Sequence, residues 1–290
     1  AMINMQSWMF LSSYENLRID LLEKYNIDSL LHLGPHAFDE IGGEVVQCAT
    51  FTIAKHKPSN DGGTYYRLVD GRNSSEKENA FLRRENGFYG IDQSNFEKIP
   101  GCPIGYWVSE KMMAVFENPI IANNAETRLG MATADNNLFL RFFWEVNHRN
   151  TLLSCNSTEE SELADEQWYP YAKGGSFRKW YGNNEYLVNW KNNGYAIRNF
   201  SDEKGKIRSH NYNLDFIFKK GITWNALSSG NTSFRVLDKS LFDNAGSSLF
   251  CKNEHYYNLL GYLNSKLIQK IVPIINPTFN YQPGTISSLP

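Results

Sequence analysis

The chain has few cysteines, no long apolar run and almost no net charge, and each shortage removes a class of protein. Four cysteines, Cys48, Cys102, Cys155 and Cys251, are spread through 290 residues. They form no Cys-x-x-Cys pair and have no histidine at ligand spacing, which excludes a disulfide-stapled secreted scaffold and a zinc-finger framework. No apolar stretch approaches the roughly 20 residues that span a bilayer. The first residues also lack the charged-then-apolar layout of a secretory leader. The expected setting is the cytoplasm, with free thiols and no membrane contact. A formal net charge of -2 excludes a small, uniformly basic nucleic-acid binder. There is no G-x-S-x-G, no phosphate-binding glycine loop and no carboxylate pair in an apolar setting, so hydrolase chemistry has little support. His32 and His36 have the spacing of two helical metal ligands, but Gly34 and Pro35 between them forbid a helix, so no metal site is expected.

What is present is enough apolar sequence, 41% of residues, to build a core, at a length that suggests about two domains. The small net charge hides an asymmetry. Residues 173–224 carry ten Lys and Arg against four Asp and Glu, while residues 151–172 carry five acids and no Lys or Arg.

The opening reads as a strand over the apolar run SWMFLSS, then an amphipathic helix, then a strand over IDSLLHLG. Ser12 and Glu15 have capping-box spacing, and Tyr14, Leu17, Leu21 and Tyr25 recur at helical steps. VVQCATFTIA suits a strand covered on both faces. Three such strands look like one edge of a larger α/β domain, so the chain is expected to start within a domain. Residues 58–117 read as a helical connector, with a helix capped by Ser75 and Glu78 and a shorter one over SEKMMAVFEN. Beyond residue 118, strand-like runs (NLFLRFFWEV, EYLVNW, LDFIFKK) alternate with Asn, Gly and Ser turns, an α+β pattern. GMATADNNLF reads as a turn-rich loop. A last helix through HYYNLLGYLNSKLIQKIV carries Tyr256, Leu259, Leu260, Leu263, Leu267 and Ile271 on one stripe and is expected to end before Pro273.

The densest mixture is GGSFRKWYGNNEYLVNW, residues 174–190. From Lys173 to Asn225 the cations Lys173, Arg178, Lys179, Lys191, Arg198, Lys204, Lys206, Arg208, Lys219 and Lys220 are interleaved with Trp180, Tyr181, Tyr186, Trp190, Tyr195 and Trp224. Nucleic acid asks for this mixture, because cations neutralise phosphates, ring faces stack on bases, and amides or guanidinium forks read base edges. Gly174, Gly175 and Gly182 allow close backbone approach. The same composition also suits a core of aromatics beneath a solvated face of cations. A third reading is a sugar platform built from Trp180, Tyr181 and Trp190, and a fourth is a protein-contact subunit using LLGYLNSKLIQKI. Periodicity does not separate these alternatives.

Taken in order, SWMFLSSYENLR, HLGPHAFDEIGGEVVQ, FEKIPGCPIGYWVSE, GMATADNNLFLR, KGGSFRKWYGNNEYLVNW, KKGITWNALSS, FDNAGSSLF, LLGYLNSK and INPTFNYQPGTISSLP resemble the large adenine-specific DNA methyltransferases of BREX phage-defence and related restriction-modification systems. The resemblance covers nearly the whole chain and falls on the later part of that family. It implies a mixed α/β and α+β fold. Residues 1–57 would be the remnant of a Rossmann-like catalytic sheet, 58–117 a helical connector and 118–290 a target-recognition domain that binds double-stranded DNA. The family's glycine-containing cofactor motif and Asn-Pro-Pro-Tyr motif are not in this chain. S-adenosylmethionine is therefore implied for the parent enzyme, and no cofactor, no catalytic residue and no activity alone for this piece. Phe38 matches the position of the family's aromatic wall around a flipped base. Arg178, Lys179 and Lys206 would neutralise phosphates, Asn183 and Asn184 would read adenine edges, and Trp180 or Tyr181 would stack or buttress. Lys173, Ser176, Arg198, Lys204, Arg208, Lys219 and Lys220 complete the DNA-binding set, with variable readout expected in 191–220. Other defence-system proteins are possible partners.

Overall fold

In the computed structural model, which describes residues 1–41, 46–55, 62–228, 230–252 and 254–290, the chain folds as two units of mixed α/β structure. Unit 1 comprises 1–119 with 274–277 and 290, and unit 2 comprises 120–273 with 278–289.

Unit 1 is built on a five-stranded sheet in the order β1-β3-β2-β4-β5, from β1 (Met2–Met5), β2 (Asn26–Gly34), β3 (Cys48–Ala54), β4 (Gly63–Arg67) and β5 (Gly87–Ile91). Only the central β2–β4 pair is parallel; the other three pairings are antiparallel. The core joins Trp8, Met9, Phe10 and Leu22 to Ile27, Leu30, Phe51, Tyr65, Phe96 and Tyr106.

Several sequence expectations change here. Residues 58–117 are not a helical connector, because β4 and β5 fall within them and hydrogen-bond into the sheet. The apolar run SWMFLSS is two short 3-10 turns, Gln6–Met9 and Ser12–Tyr14, that drive Trp8 and Met9 inward. The helix Glu15–Lys24 begins after Tyr14 without a side-chain cap, and its buried stripe is Arg18, Leu21 and Leu22 rather than Tyr14 and Leu17. The next helix, Ser74–Leu82, is capped by Asn73, whose side chain accepts from the Glu76 amide, instead of by Ser75. Part of the predicted buried strand VVQCATFTIA (Val45) and most of KPSNDGG lie outside the described residues.

Unit 2 holds two four-stranded sheets around one apolar core. The first runs β11-β10-β13-β6 and the second β12-β8-β9-β7. Their strands are β6 (Ala125–Arg128), β7 (Leu140–Phe142), β8 (Trp168–Ala172), β9 (Tyr186–Asn189), β10 (Gly221–Trp224), β11 (Phe234–Leu237), β12 (Leu241–Phe242) and β13 (Ser248–Cys251). Tyr169, Tyr171, Val188 and Phe242 of the second sheet share that core with Leu237 and Phe250 of the first and with Trp190. The strands are short and carry few ladder bonds, so side-chain burial from both sheets is what keeps them together.

LDFIFKK is not a strand. Leu214–Phe216 form a 3-10 turn, Ile217 and Phe218 plug the core, and β10 starts only at Gly221. The predicted last helix is two, Tyr256–Leu263 and Lys266–Ile275, with Pro273 inside the second rather than beyond its end. Asn264 causes the break: its side chain accepts from the Phe234 amide at 3.2 Å and donates to the Phe234 carbonyl at 2.9 Å, capturing β11 like an added strand residue. Leu260, Leu263, Ile268 and Ile271 are buried, so this segment is core and not a partner-facing helix. Among the described residues no helix is long and apolar enough to cross a membrane.

Candidate nucleic-acid interface

The strands β8 and β9 are antiparallel neighbours, yet the chain takes residues 173–185 to pass from one to the other. That excursion is not slack. Trp180 donates its amide to the Phe234 carbonyl and accepts from the Val236 amide, both at 2.9 Å, so it is bridged to β11. Asn225 donates to the Gly175 carbonyl at 2.6 Å, Arg235 to the Arg178 carbonyl at 3.3 Å, and Asn183 to the Ser176 carbonyl at 2.9 Å. Trp180 has φ of 73°, a left-handed backbone rarely adopted by a bulky residue. The two bonds to β11 hold it there against a strain of about 1–3 kcal/mol. Gly175 at φ 132° and Gly182 at φ 126° turn the corners.

The result is a loop with a hydrogen-bonded underside and an exposed rim. The rim displays Ser176, Phe177, Arg178, Trp180, Tyr181 and Asn184, with Tyr181 73% exposed. Arg178 leans toward Glu185 at 3.9 Å, a surface pair that contributes little to stability. Two predicted contact residues belong to the underside. Asn183 is buried and spent on Ser176, so it cannot read an adenine edge. Lys179 is half-buried and donates to the Asn264 carbonyl at 2.7 Å, complementing a helix C-terminus. Asn183 has no free head group to offer a base, and Lys179 is anchored to the underside.

Lys173 sits at the start of the loop. Its ammonium lies 3.4 Å from Asp243 Oδ2 and 3.1 Å from Asn136 Oδ1. The Tyr171 hydroxyl donates to the same Asp243 oxygen at 2.6 Å, and burial followed by the Asp243 charge pushes its pKa well above the usual phenol value. Asn136 belongs to GMATADNN, which is more than a turn. Met131 donates to the Phe242 carbonyl, and Ala132 pairs in both directions with His210. A Cβ at Gly130 would stand 2.2 Å from the Phe242 carbonyl oxygen, so only glycine fits.

Through His210 this loop braces a second basic segment. Ser201 and Ile207 are bridged, and the Asp202 carboxylate accepts from the Lys204 and Lys206 amides at 2.9 Å each. The turn therefore extends Lys204 and Lys206 into solvent beside exposed Arg198 and Arg208, the last lying over the Phe200 ring at 5.6 Å. Lys219 and Lys220 are placed elsewhere: Lys219 is 5.0 Å from the Phe216 ring and Lys220 4.5 Å from both Tyr256 and Tyr257. The predicted residues thus separate into the 173–184 rim, the 198–208 turn and the Lys219–Lys220 pair on aromatic faces.

Of the interleaved aromatics, Trp190 and Trp224 are fully buried while Trp180, Tyr181 and Tyr195 are exposed. Burial of Trp190 removes one ring of the sugar platform. A Cβ at Gly194 would meet that ring at 2.3 Å, and Gly194, with Asn192 and Asn193, has positive φ to wrap around it. Phe38 lies exposed on unit 1. Sequence reasoning missed Phe177, Asn225 and Arg235; the last lies in a strand whose pattern carries no sign that its cation points inward.

Two clefts of about 440 Å³ adjoin the rim. One is lined by Phe143, Leu153, Pro170, Tyr181, Asn184 and Lys239, and the other by Gly175, Ser176, Phe177, Asn225, Leu227 and Asn231. In unit 1 a cleft of about 290 Å³ touches Gly90, Asp92, Phe96, Gly105 and Tyr106. It does not fit S-adenosylmethionine. Tyr106 is stacked on Tyr65 at 5.0 Å and Phe96 packs edge-on to it, so no ring face is left for an adenine, and Asp92 is spent on capping Ser94. Among the described residues no cluster of three or more His, Cys, Asp or Glu could hold a metal ion.

The fold belongs to the class seen in restriction-modification enzymes. Superposed on MmeI, a type IIL restriction-modification enzyme solved in complex with DNA, it gives a TM-score of 0.55 at 13% identity, over 99% of this chain and 38% of that one. No family model matches the sequence. Two relatives do: the adenine-specific methyltransferase PglX of Lacticaseibacillus casei (strain Zhang), 43% identical, and the adenine-specific methyltransferase BrxX of Escherichia coli O9:H4 (strain HS), 38% identical, each over all of this chain. Over its whole length the chain is similar to a part of these adenine-specific methyltransferases, and it spans about a quarter of the length of either relative, 25% and 23%.

Proposed function

We propose that this chain is the DNA-holding, target-recognition portion of a site-specific N6-adenine DNA methyltransferase that works in the cytoplasm in BREX-type phage defence or restriction-modification. One observation carries the reading: the rim at 176–184 combines an exposed guanidinium, an amide, a hydroxyl and three rings on a backbone fixed by buried hydrogen bonds. A pre-fixed loop loses little entropy on binding, which suits a surface that must hold one register on a duplex. Arg178 meets phosphates, as does Lys173 at the start of the loop; Ser176 and Asn184 are suited to base edges; Phe177, Trp180 and Tyr181 supply stacking faces. Lys204, Lys206, Arg198 and Arg208 form a second backbone clamp.

Unit 2 is the recognition domain in this reading, and unit 1 the end of the catalytic domain, with Phe38 at the base pocket. S-adenosylmethionine supplies the methyl group in such enzymes, and this chain's part is confined to positioning the DNA. Other defence proteins would dock on the parent enzyme.

Binding of the chain to a labelled duplex at increasing salt tests the proposal. With about six phosphates engaged, log K falls against log salt with a slope of about -5. A flat response, or preference for a glycan over DNA, would overturn it.

A further inference from the structure

The recognition loop stands on a buried cation. Arg235 in β11 is 1% exposed and spends its guanidinium on neutral acceptors. One terminal nitrogen donates to the Arg178 carbonyl at 3.3 Å and to Ser233 Oγ at 3.2 Å, the other to Asn225 Oδ1 at 2.7 Å. Its Nε–H has no partner among the described residues. Glu185, the acid whose charge favours it, leans instead toward Arg178. Burial, only partly offset by the charge of Glu185 and reinforced by that of Arg178, lowers the Arg235 pKa to about 10.

An ion buried without a counterion is costly, and an apolar side chain of similar size is usually as stable or more so. A neutral amide could make comparable bonds to the loop. The charge therefore has no folding purpose on this side of the molecule, but it lies directly beneath the carbonyl of the loop's one exposed arginine.

We propose that Arg235 is a positioning residue for DNA binding, fixing the recognition loop through Arg178 and Asn225 and supplying a buried positive charge that a backbone phosphate at the rim neutralises. This rests on the DNA-binding reading above. A charge inside protein is screened far less than one in water, so its contribution persists at salt concentrations that erase that of exposed Arg178.

The test compares duplex binding and thermal unfolding of the full chain with those of Arg235→Met, Asn225→Asp and Arg178→Ala at low and high salt. Arg235→Met is expected to melt close to the parent chain, because relief of the buried charge offsets the bonds lost to the Arg178 carbonyl and Asn225, and to bind about tenfold more weakly at every salt concentration. The Arg178→Ala deficit shrinks as salt rises. Asn225→Asp places a carboxylate against Arg235 but gives up the donor to the Gly175 carbonyl; its Tm is expected to stay near that of the parent chain while DNA binding weakens about tenfold at every salt concentration, since the charge is then neutralised from within. Loss of affinity without loss of stability is something a purely structural arginine does not produce.

Equal affinity of Arg235→Met and the parent chain overturns the inference, as does a deficit that vanishes with salt. If Arg235→Met does not fold, an Asn225→Asp chain that binds like the parent overturns it, and failure of both to fold assigns Arg235 to the core. A parent chain that binds no duplex at all sinks the proposed function instead.

Discussion

Arg18 in unit 1 and Arg235 in unit 2 are both sealed from solvent at 1% exposure, and their surroundings differ. Arg18 gives Nε and one terminal nitrogen to the Gly101 carbonyl at 3.0 and 2.5 Å, and the other terminal nitrogen to the Trp8 and Leu11 carbonyls at 2.9 and 2.7 Å. The Leu11 carbonyl also accepts from the Tyr14 amide, while for the Trp8 and Gly101 carbonyls the guanidinium does what a ladder partner would do elsewhere. Arg235 holds one loop carbonyl and leaves a donor without a partner. The first is a fully used staple; the second is an under-used charge beside a surface. The comparison teaches that burial alone does not reveal a polar group's purpose, whereas the accounting of its donors does.

Replacing Arg18 by Met strands the Trp8 and Gly101 carbonyls and is expected to cost about 3–5 kcal/mol in denaturant unfolding. A loss below about 1 kcal/mol would show that water satisfies them as well.

His32, also in unit 1, supplies the next effect. Its Nε2–H donates to Gln6 at 2.7 Å, so Nδ1 accepts from the Tyr106 hydroxyl at 3.0 Å. Burial first, then the charges of Arg67 and Lys77, lower its pKa to about 3. The unfolded chain, titrating near 6.5, binds a proton that the folded chain refuses. Stability is therefore fully present above about pH 6.5 and is lost as pH falls toward 3, by about 2 kcal/mol between pH 7 and pH 5. Unfolding midpoints of the parent chain and His32→Gln across this range check it; the variant should lose that part of the slope.

In unit 2, Asn183→Ala removes the bond to the Ser176 carbonyl from a left-handed position and is expected to cost about 1–2 kcal/mol. It should weaken binding to all duplexes alike, as measured on matched and scrambled sites. Preference lost at one base pair alone would return Asn183 to the reading surface. Arg178→Ala, at the rim, sharpens the contrast from the other side. Stability should stay within about 0.5 kcal/mol, while the salt slope of DNA binding shrinks by about 1.

The family was legible in ordered strings of local sequence, and so was the basic, ring-rich character of residues 173–224, because composition is a property of the chain itself. Alternating apolar runs located β2, β3 and β9. The strands β4 and β5 escaped notice because helix-like text surrounds them and their pairing partners lie far along the chain. The candidate site was legible as a stretch but not as a surface. Asn183 and Asn184 are neighbours of one type, yet one is buried and the other exposed.

By itself, then, the sequence determined the family, the mixed α/β character and the segment that carries cations and rings. Tertiary structure decided that Trp190 is core while Trp180 and Tyr181 face water, that Lys179 caps a helix while Arg178 remains at the surface, and that Arg235 points inward beneath them. The physical reason is that burial and hydrogen-bond partnership are set by residues distant in sequence, here Phe234, Asn225 and Asn264, which fix the loop's backbone and so choose which face of it the solvent sees.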